Sequence, residues 1–148
     1  MRFSKLCLRW PRDKNGAEYR KLAPRVTHKH MQLHIGRLKP HSALLVRLRT
    51  SKIDFNQFLC ERRVPKVTTG TCDCDQGRMT IKHVLLACPK WRQERAQMQQ
   101  EANITNLRRL LGEARPVVAT MRMVLAIELL RQFQATTSPT MPEPPLGP

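Results

Sequence analysis

Thr71-Cys72-Asp73-Cys74-Asp75-Gln76-Gly77-Arg78-Met79-Thr80-Ile81-Lys82-His83-Val84-Leu85-Leu86-Ala87-Cys88-Pro89 carries three thiols and one imidazole within the 17 residues from Cys72 to Cys88. That is the ligand set of a closed tetrahedral zinc site. In an extended knuckle, residues i and i+2 point to the same side, so the Cys72 and Cys74 thiolates can face one ion while Gly70 and Gly77 let the chain turn around them. Thr80 is placed to cap a helix over 81–87, with His83 near its start. Five residues along an ideal helix amount to about 500°, which would put Cys88 about 140° off the histidine's face. Pro89 supplies the remedy: it disfavours helical geometry at the residue before it and lets Cys88 swing back.

Cys72, Cys74, His83 and Cys88 are therefore the candidate ligands, and Zn2+ the expected cofactor. Four protein ligands leave no open coordination position, which makes the metal structural and not hydrolytic. Asp73 and Asp75 read as solvated turn residues, Cys60 as a core side chain, and Cys7 as a free thiol. The alternative reading of the same stretch is four unconnected residues, with His83 exposed and Cys88 a small core hydrophobe. His30 and His34 share helix spacing, but no further ligand stands nearby, so they read as ordinary polar or phosphate-facing histidines.

Working outward, 148 residues allow one modest domain, and Pro-rich and loop segments shrink its core further. A metal staple compensates for such a shortage. The formal charge of +16 points to a polyanionic partner, nucleic acid first. Residues 1–66 hold 17 basic and 4 acidic side chains, whereas residues 67–148 hold 10 and 7. The candidate phosphate contacts are Arg37, Lys39, Arg47, Arg49, Lys52, Arg62, Arg63 and Lys66. Aromatic residues make up only 5% of the chain, which argues against base stacking as the main source of affinity.

The expected fold class is mainly α: a small helical domain with a short zinc-knuckle turn or hairpin. Residues 1–25 read as a flexible basic arm and 26–66 as a basic helical segment. Helices are expected over 27–38, from Ser42, and over 55–62 with Asp54 as cap. Residues 67–102 hold the knuckle and a following helix, 103–134 the C-terminal helices, and 135–148 a disordered Pro-rich tail. Within 103–134, Thr105 should start a short helix that Gly112 ends, and an apolar helix should run from Val117 to Phe133. No stretch reaches the roughly 18 apolar residues that span a bilayer, and Arg2, Lys5 and Arg9 interrupt any signal-like start. An intracellular, nuclear location without a membrane or small-molecule partner is the expectation.

The pieces Ser42-Ala-Leu-Leu-Val-Arg-Leu-Arg-Thr50, Phe55-Asn-Gln-Phe-Leu59, Cys72-Asp-Cys74 and Lys82-His83-Val-Leu-Leu-Ala-Cys88-Pro89, followed by Trp91 and Arg95, resemble a known family. It is the C-terminal region of fungal non-LTR retrotransposon polyproteins, which lies downstream of their reverse transcriptase and RNase H domains. The resemblance covers about residues 27–133. It implies that Cys72, Cys74, His83 and Cys88 form a zinc knuckle, and that Arg47, Arg49, Arg62 and Arg63 are basic residues beside the shared motifs.

The catalytic signatures of those neighbouring domains are not in the sequence. The single tyrosine, Tyr19, is followed by Arg20, Lys21 and Leu22 where a polymerase needs clustered carboxylates, and residues 1–66 offer only Asp13, Glu18, Asp54 and Glu61. The chain thus reads as a non-catalytic zinc-stabilised nucleic-acid-binding module. Two alternatives stay open. One is an interaction module that docks residues 117–133 on a reverse transcriptase, an RNase H domain or a second copy of itself; the other is a non-functional relic.

Overall fold

The computed structural model describes residues 16–25, 27–127 and 130, and it is mainly α-helical. In chain order the helices are α1 (Ala17–Leu22), α2 (His28–Gln32), α3 (Lys39–Thr50), α4 (Asn56–Glu61), α5 (Ile81–Leu86), α6 (Arg92–Ala102), α7 (Leu107–Leu110) and α8 (Ala114–Ala126), with a 3-10 turn, Pro89–Trp91, between α5 and α6. The described residues contain one isolated antiparallel bridge, Thr71 with Arg78, and it closes the knuckle as a rudimentary hairpin.

The core forms around α8, which buries more residues than any other described helix. Val117, Ala119, Thr120, Met121, Met123 and Val124 are buried, and α3, α6 and α7 all pack on it. The only buried hydroxyl of this helix is satisfied, since Thr120 Oγ1 lies 2.9 Å from the Pro116 carbonyl and 3.3 Å from that of Leu110. The bond to Leu110 ties α7 to α8. The helix begins three residues before the expected Val117, because Pro116 is tolerated in a first turn. The expected continuation through 128, 129 and 131–133 lies outside the described residues.

On α3, Leu44, Leu45 and Leu48 have no exposure, the one-sided spacing of a helix that buries a single face. This helix also starts earlier than Ser42, with Pro40 in its first turn. Asp54 does not cap α4; Phe55 occupies the cap position and is buried in the core, while the Asp54 carboxylate pairs with Arg47 at 3.2 Å. In the expected helix over 27–38, only His28–Gln32 is helical. Apolar residues at 31, 33, 35 and 38 do not share one helical face, so Leu33 is buried while Met31 and Ile35 stay exposed, and Gly36 turns the chain at φ 72°.

The stretch expected as a flexible arm contains α1, which packs on α3 and α7 and brings Ala23 into the interior. Residues 1–15, with Cys7 and Trp10, lie outside the described residues, as does the Pro-rich segment 135–148. No helix among the described residues is long and apolar enough to cross a membrane.

After α6, Asn106 rather than Thr105 caps α7, its side-chain oxygen accepting from the Arg108 and Arg109 amides at 2.9 and 3.3 Å. Gly112 follows where the chain doubles back, and a Cβ there would stand 2.6 Å from the Arg108 carbonyl oxygen. That clash is backbone against side-chain root, which no rotamer relieves. We expect Gly112→Ala to destabilise the fold by about 1–3 kcal/mol, read from the midpoint of urea unfolding.

Candidate metal centre

The four candidate ligands come from three local structures that the sequence shapes independently. Cys72 and Cys74 lie in the knuckle, whose register is fixed by backbone bonds from Cys72 N–H to the Gly77 carbonyl (2.8 Å), from Asp75 N–H to the Cys72 carbonyl (2.9 Å) and from Met79 N–H to the Gly70 carbonyl (2.8 Å). Gly77 has φ 151°, a conformation L side chains avoid, and it stands against the His83 ring. Asp75 takes the left-handed region at φ 56°, as Asp tolerates. From behind, α4 supports the knuckle: Asn56 Nδ2 donates to the Thr71 carbonyl at 3.0 Å, and the Gln57 side chain packs directly against Gly70.

His83 is held by the cap. Its backbone N–H donates to Thr80 Oγ1 at 3.2 Å, which starts α5 at Ile81, and Ile81, Val84 and Leu85 bury the opposite face. At the far end the chain leaves the helix as the proline requires. Cys88 has φ −60° and ψ 122°, and its N–H together with that of Ala87 converges on the His83 carbonyl at 2.7 and 2.9 Å. Without that exit the 140° offset would keep the thiol away from the imidazole.

The outcome is a cluster in which one ligand atom from each of Cys72, Cys74, His83 and Cys88 lies within 4.8 Å of all the others. Cys72 Sγ is 3.7 Å from Cys88 Sγ, and Cys74 Sγ is 3.2 Å from His83 Nε2. Zinc bonds of about 2.3 Å to sulfur and about 2.0–2.1 Å to nitrogen give tetrahedral edges of roughly 3.8 Å between sulfurs and roughly 3.6 Å between sulfur and nitrogen. The donor set and its spacing thus fit a four-coordinate cation. Cys72 and Cys88 are buried and Cys74 and His83 half-buried, so the site is inside the core cluster yet has an edge toward solvent.

Two residues that support the site gave little sign in the sequence. Arg95 on α6 donates from Nη1 to the Cys88 carbonyl at 2.6 Å and locks the exit from α5. Lys90 reaches Asp73 at 3.3 Å across the mouth of the knuckle, an exposed pair worth little energy. The resemblance includes Arg95 among its residues, but its bond to the Cys88 carbonyl depends on the turn at Cys88.

Burial pushes the Cys72 thiol up to about 11, the neighbouring cysteines adding to the shift, whereas the Gln76 backbone N–H holds Cys74 below the ordinary thiol value. In the metal-free protein Cys72 is therefore protonated at neutral pH, and a cation that takes its thiolate must expel that proton. The sign follows: apparent metal affinity rises with pH and falls as acid is added. Competition with a chromophoric chelator should show weaker zinc retention at pH 6 than at pH 8.

No family model, no curated protein and no solved structure matches the chain.

The eight basic candidates do not share one environment. Lys39, Lys52, Arg62, Arg63 and Lys66 are exposed, as is Arg47 with its partner Asp54. Arg37 is half-buried and donates from Nε to the Leu33 carbonyl at 2.5 Å. Arg49 is a correction: it is 1% exposed, its guanidinium lies 4.8 Å from the centre of the Tyr19 ring, and burial lowers its pKa while Tyr19 opposes that shift. The helical face that buries Leu45 and Leu48 carries Arg49 inward with them, so it fastens α1 to α3 and is not placed to meet a phosphate.

The remaining titratable candidates are also structural. His34 Nδ1 is 2.6 Å from Ser42 Oγ, and His30 stands edge-on to Tyr19 at 6.3 Å. Burial, and then Arg49, lowers the pKa of both histidines. Cys60 is half-buried, with its thiol donating to the Thr68 carbonyl at 3.7 Å, and is not part of the metal cluster.

Proposed function

We propose that the chain is a non-catalytic module, stapled by one structural zinc ion, that binds nucleic acid through phosphate contacts. The observation that carries the reading is the convergence of Cys72, Cys74, His83 and Cys88 within 4.8 Å. Three thiolates and an imidazole at tetrahedral spacing are borderline-soft donors that suit zinc, and they fill its coordination sphere, which leaves no place for substrate or activated water.

The nucleic-acid part of the reading rests on charge and its position. The chain carries +16, and Lys39, Lys52, Arg62, Arg63 and Lys66 project from α3, from the loop after it and from the segment between α4 and the knuckle. We further propose descent from the C-terminal region of fungal non-LTR retrotransposon polyproteins, on the strength of the ordered motifs from Ser42 to Arg95, with a nuclear site of action. For the alternative of docking through residues 117–133, α8 offers little free apolar surface, because its apolar face is engaged with α3, α6 and α7 and Val118 is its one large apolar residue left exposed, while residues 128, 129 and 131–133 of that segment lie outside the described residues.

Fluorescence anisotropy on labelled oligonucleotides tests the proposal. A variant with glutamine at 39, 52, 62, 63 and 66 should retain its zinc and its helicity but lose most of its affinity. Equal affinity in variant and wild type would remove the phosphate-contact reading.

A further inference from the structure

A cleft of about 630 Å³ opens beside the knuckle, among α1, the end of α3, α4, α5 and α7. Its floor is apolar, with Leu48, Phe55 and Met79, and its volume falls in the roughly 300–1,000 Å³ range of sites that enclose a small organic group. Its rim is charged, and unevenly so: Glu61, which accepts from Gln57 Nε2 at 2.5 Å, sets one carboxylate on the α4 side against the cations. On the α1 side Lys21 and Glu18 neutralise one another at 2.6 Å. On the knuckle side stand Arg78 and Lys82, both exposed and neither with an ion-pair partner among the described residues. One wall presents the ring of Phe58, with the Arg62 guanidinium stacked over it at 5.3 Å.

We infer that this cleft receives one unstacked base of a single-stranded nucleic acid, with the flanking phosphates on Arg78 and Lys82. The inference rests on the nucleic-acid reading above and deepens it. A base has apolar faces and a polar edge, which matches an apolar floor bordered by Phe58, and single strands are held where bases stack on aromatic rings or guanidinium planes while cations track the backbone. Charge complementarity selects this occupant over an apolar peptide, for which two free cations at the mouth would be a desolvation cost without return. The paired bases of a duplex cannot enter. In a chain with so few aromatics, one ring placed in a cleft is enough to favour single strands over duplexes.

The zinc-loaded full chain should be titrated with a single strand of about 12 nucleotides, with the same strand carrying abasic sites, and with a duplex of equal length, all at one salt concentration. Stacking of one base predicts that abasic substitution weakens binding roughly 5- to 150-fold. Phe58→Leu, with its zinc content and circular dichroism unchanged, should weaken the base-bearing strand by a similar factor and leave the abasic strand and the duplex alone. Equal affinity for base-bearing and abasic strands would overturn the inference while leaving phosphate binding intact. Absence of binding to any of the three at about 50 mM salt would overturn the nucleic-acid function and this site with it. Stabilisation by an apolar peptide, without any by the single strand, would assign the cleft to a protein partner and equally overturn it.

Discussion

Stripping zinc from the purified protein with a strong chelator is expected to abolish most of its helical circular dichroism and its cooperative thermal transition. The physical reason is the position of the ligands. Cys72 and Cys88 belong to the same buried cluster as Leu44, Leu48, Val84 and Val117, so a metal held by them would join the knuckle to the main core rather than decorate an edge. Structural zinc supplies apparent binding free energy on the order of 10 kcal/mol at neutral pH, against a total stability for a small domain of about 5–15 kcal/mol. Much of the helix is in short pieces: α1, α2, α4, α5 and α7 have six residues or fewer. Helices of that length do not persist without tertiary support. Readdition of zinc should restore the signal. Retention of full helicity and an unchanged melting transition in the metal-free protein would show that the core stands without its staple.

Affinity for nucleic acid is expected to fall steeply with ionic strength. Five exposed cations, at 39, 52, 62, 63 and 66, contacting five phosphates give a log–log salt slope of roughly −4.5 on duplex DNA, and Arg78 and Lys82 at the cleft raise the contacts to seven on a single strand, for a slope of roughly −4.9. Between about 50 and 200 mM salt, this corresponds to losses of roughly 500-fold and roughly 900-fold. Arg49→Met should leave both slopes unchanged, since its guanidinium is buried against Tyr19. Less than a tenfold loss over that range would mean that phosphate contacts are not the source of affinity.

The metal cluster was legible in the sequence because each of its requirements is local. Thr80 caps, Gly77 turns and Pro89 ends α5, and each does so through its own backbone chemistry. The mainly α architecture was legible for a related reason, in the one-sided apolar spacing of α3 and α8. What the sequence could not reveal depended on contacts between distant segments. Arg49 looked like one more cation until the inward face of α3 was known, and Asp54 looked like a cap until Arg47 drew it away. The helix at α1 owes its place to α3 and α7, and no apolar period in its own sequence announces it. The cleft edged by Phe58, Arg78 and Lys82 is assembled from five elements, and no motif spells it.

Whether one zinc ion sits on Cys72, Cys74, His83 and Cys88 is tested most directly by the metal content of the purified chain, wild type against Cys74→Ser. One zinc per wild-type chain is expected, with a clearly lower occupancy in the variant after dialysis against a weak chelator. Equal zinc in the two preparations would contradict that expectation.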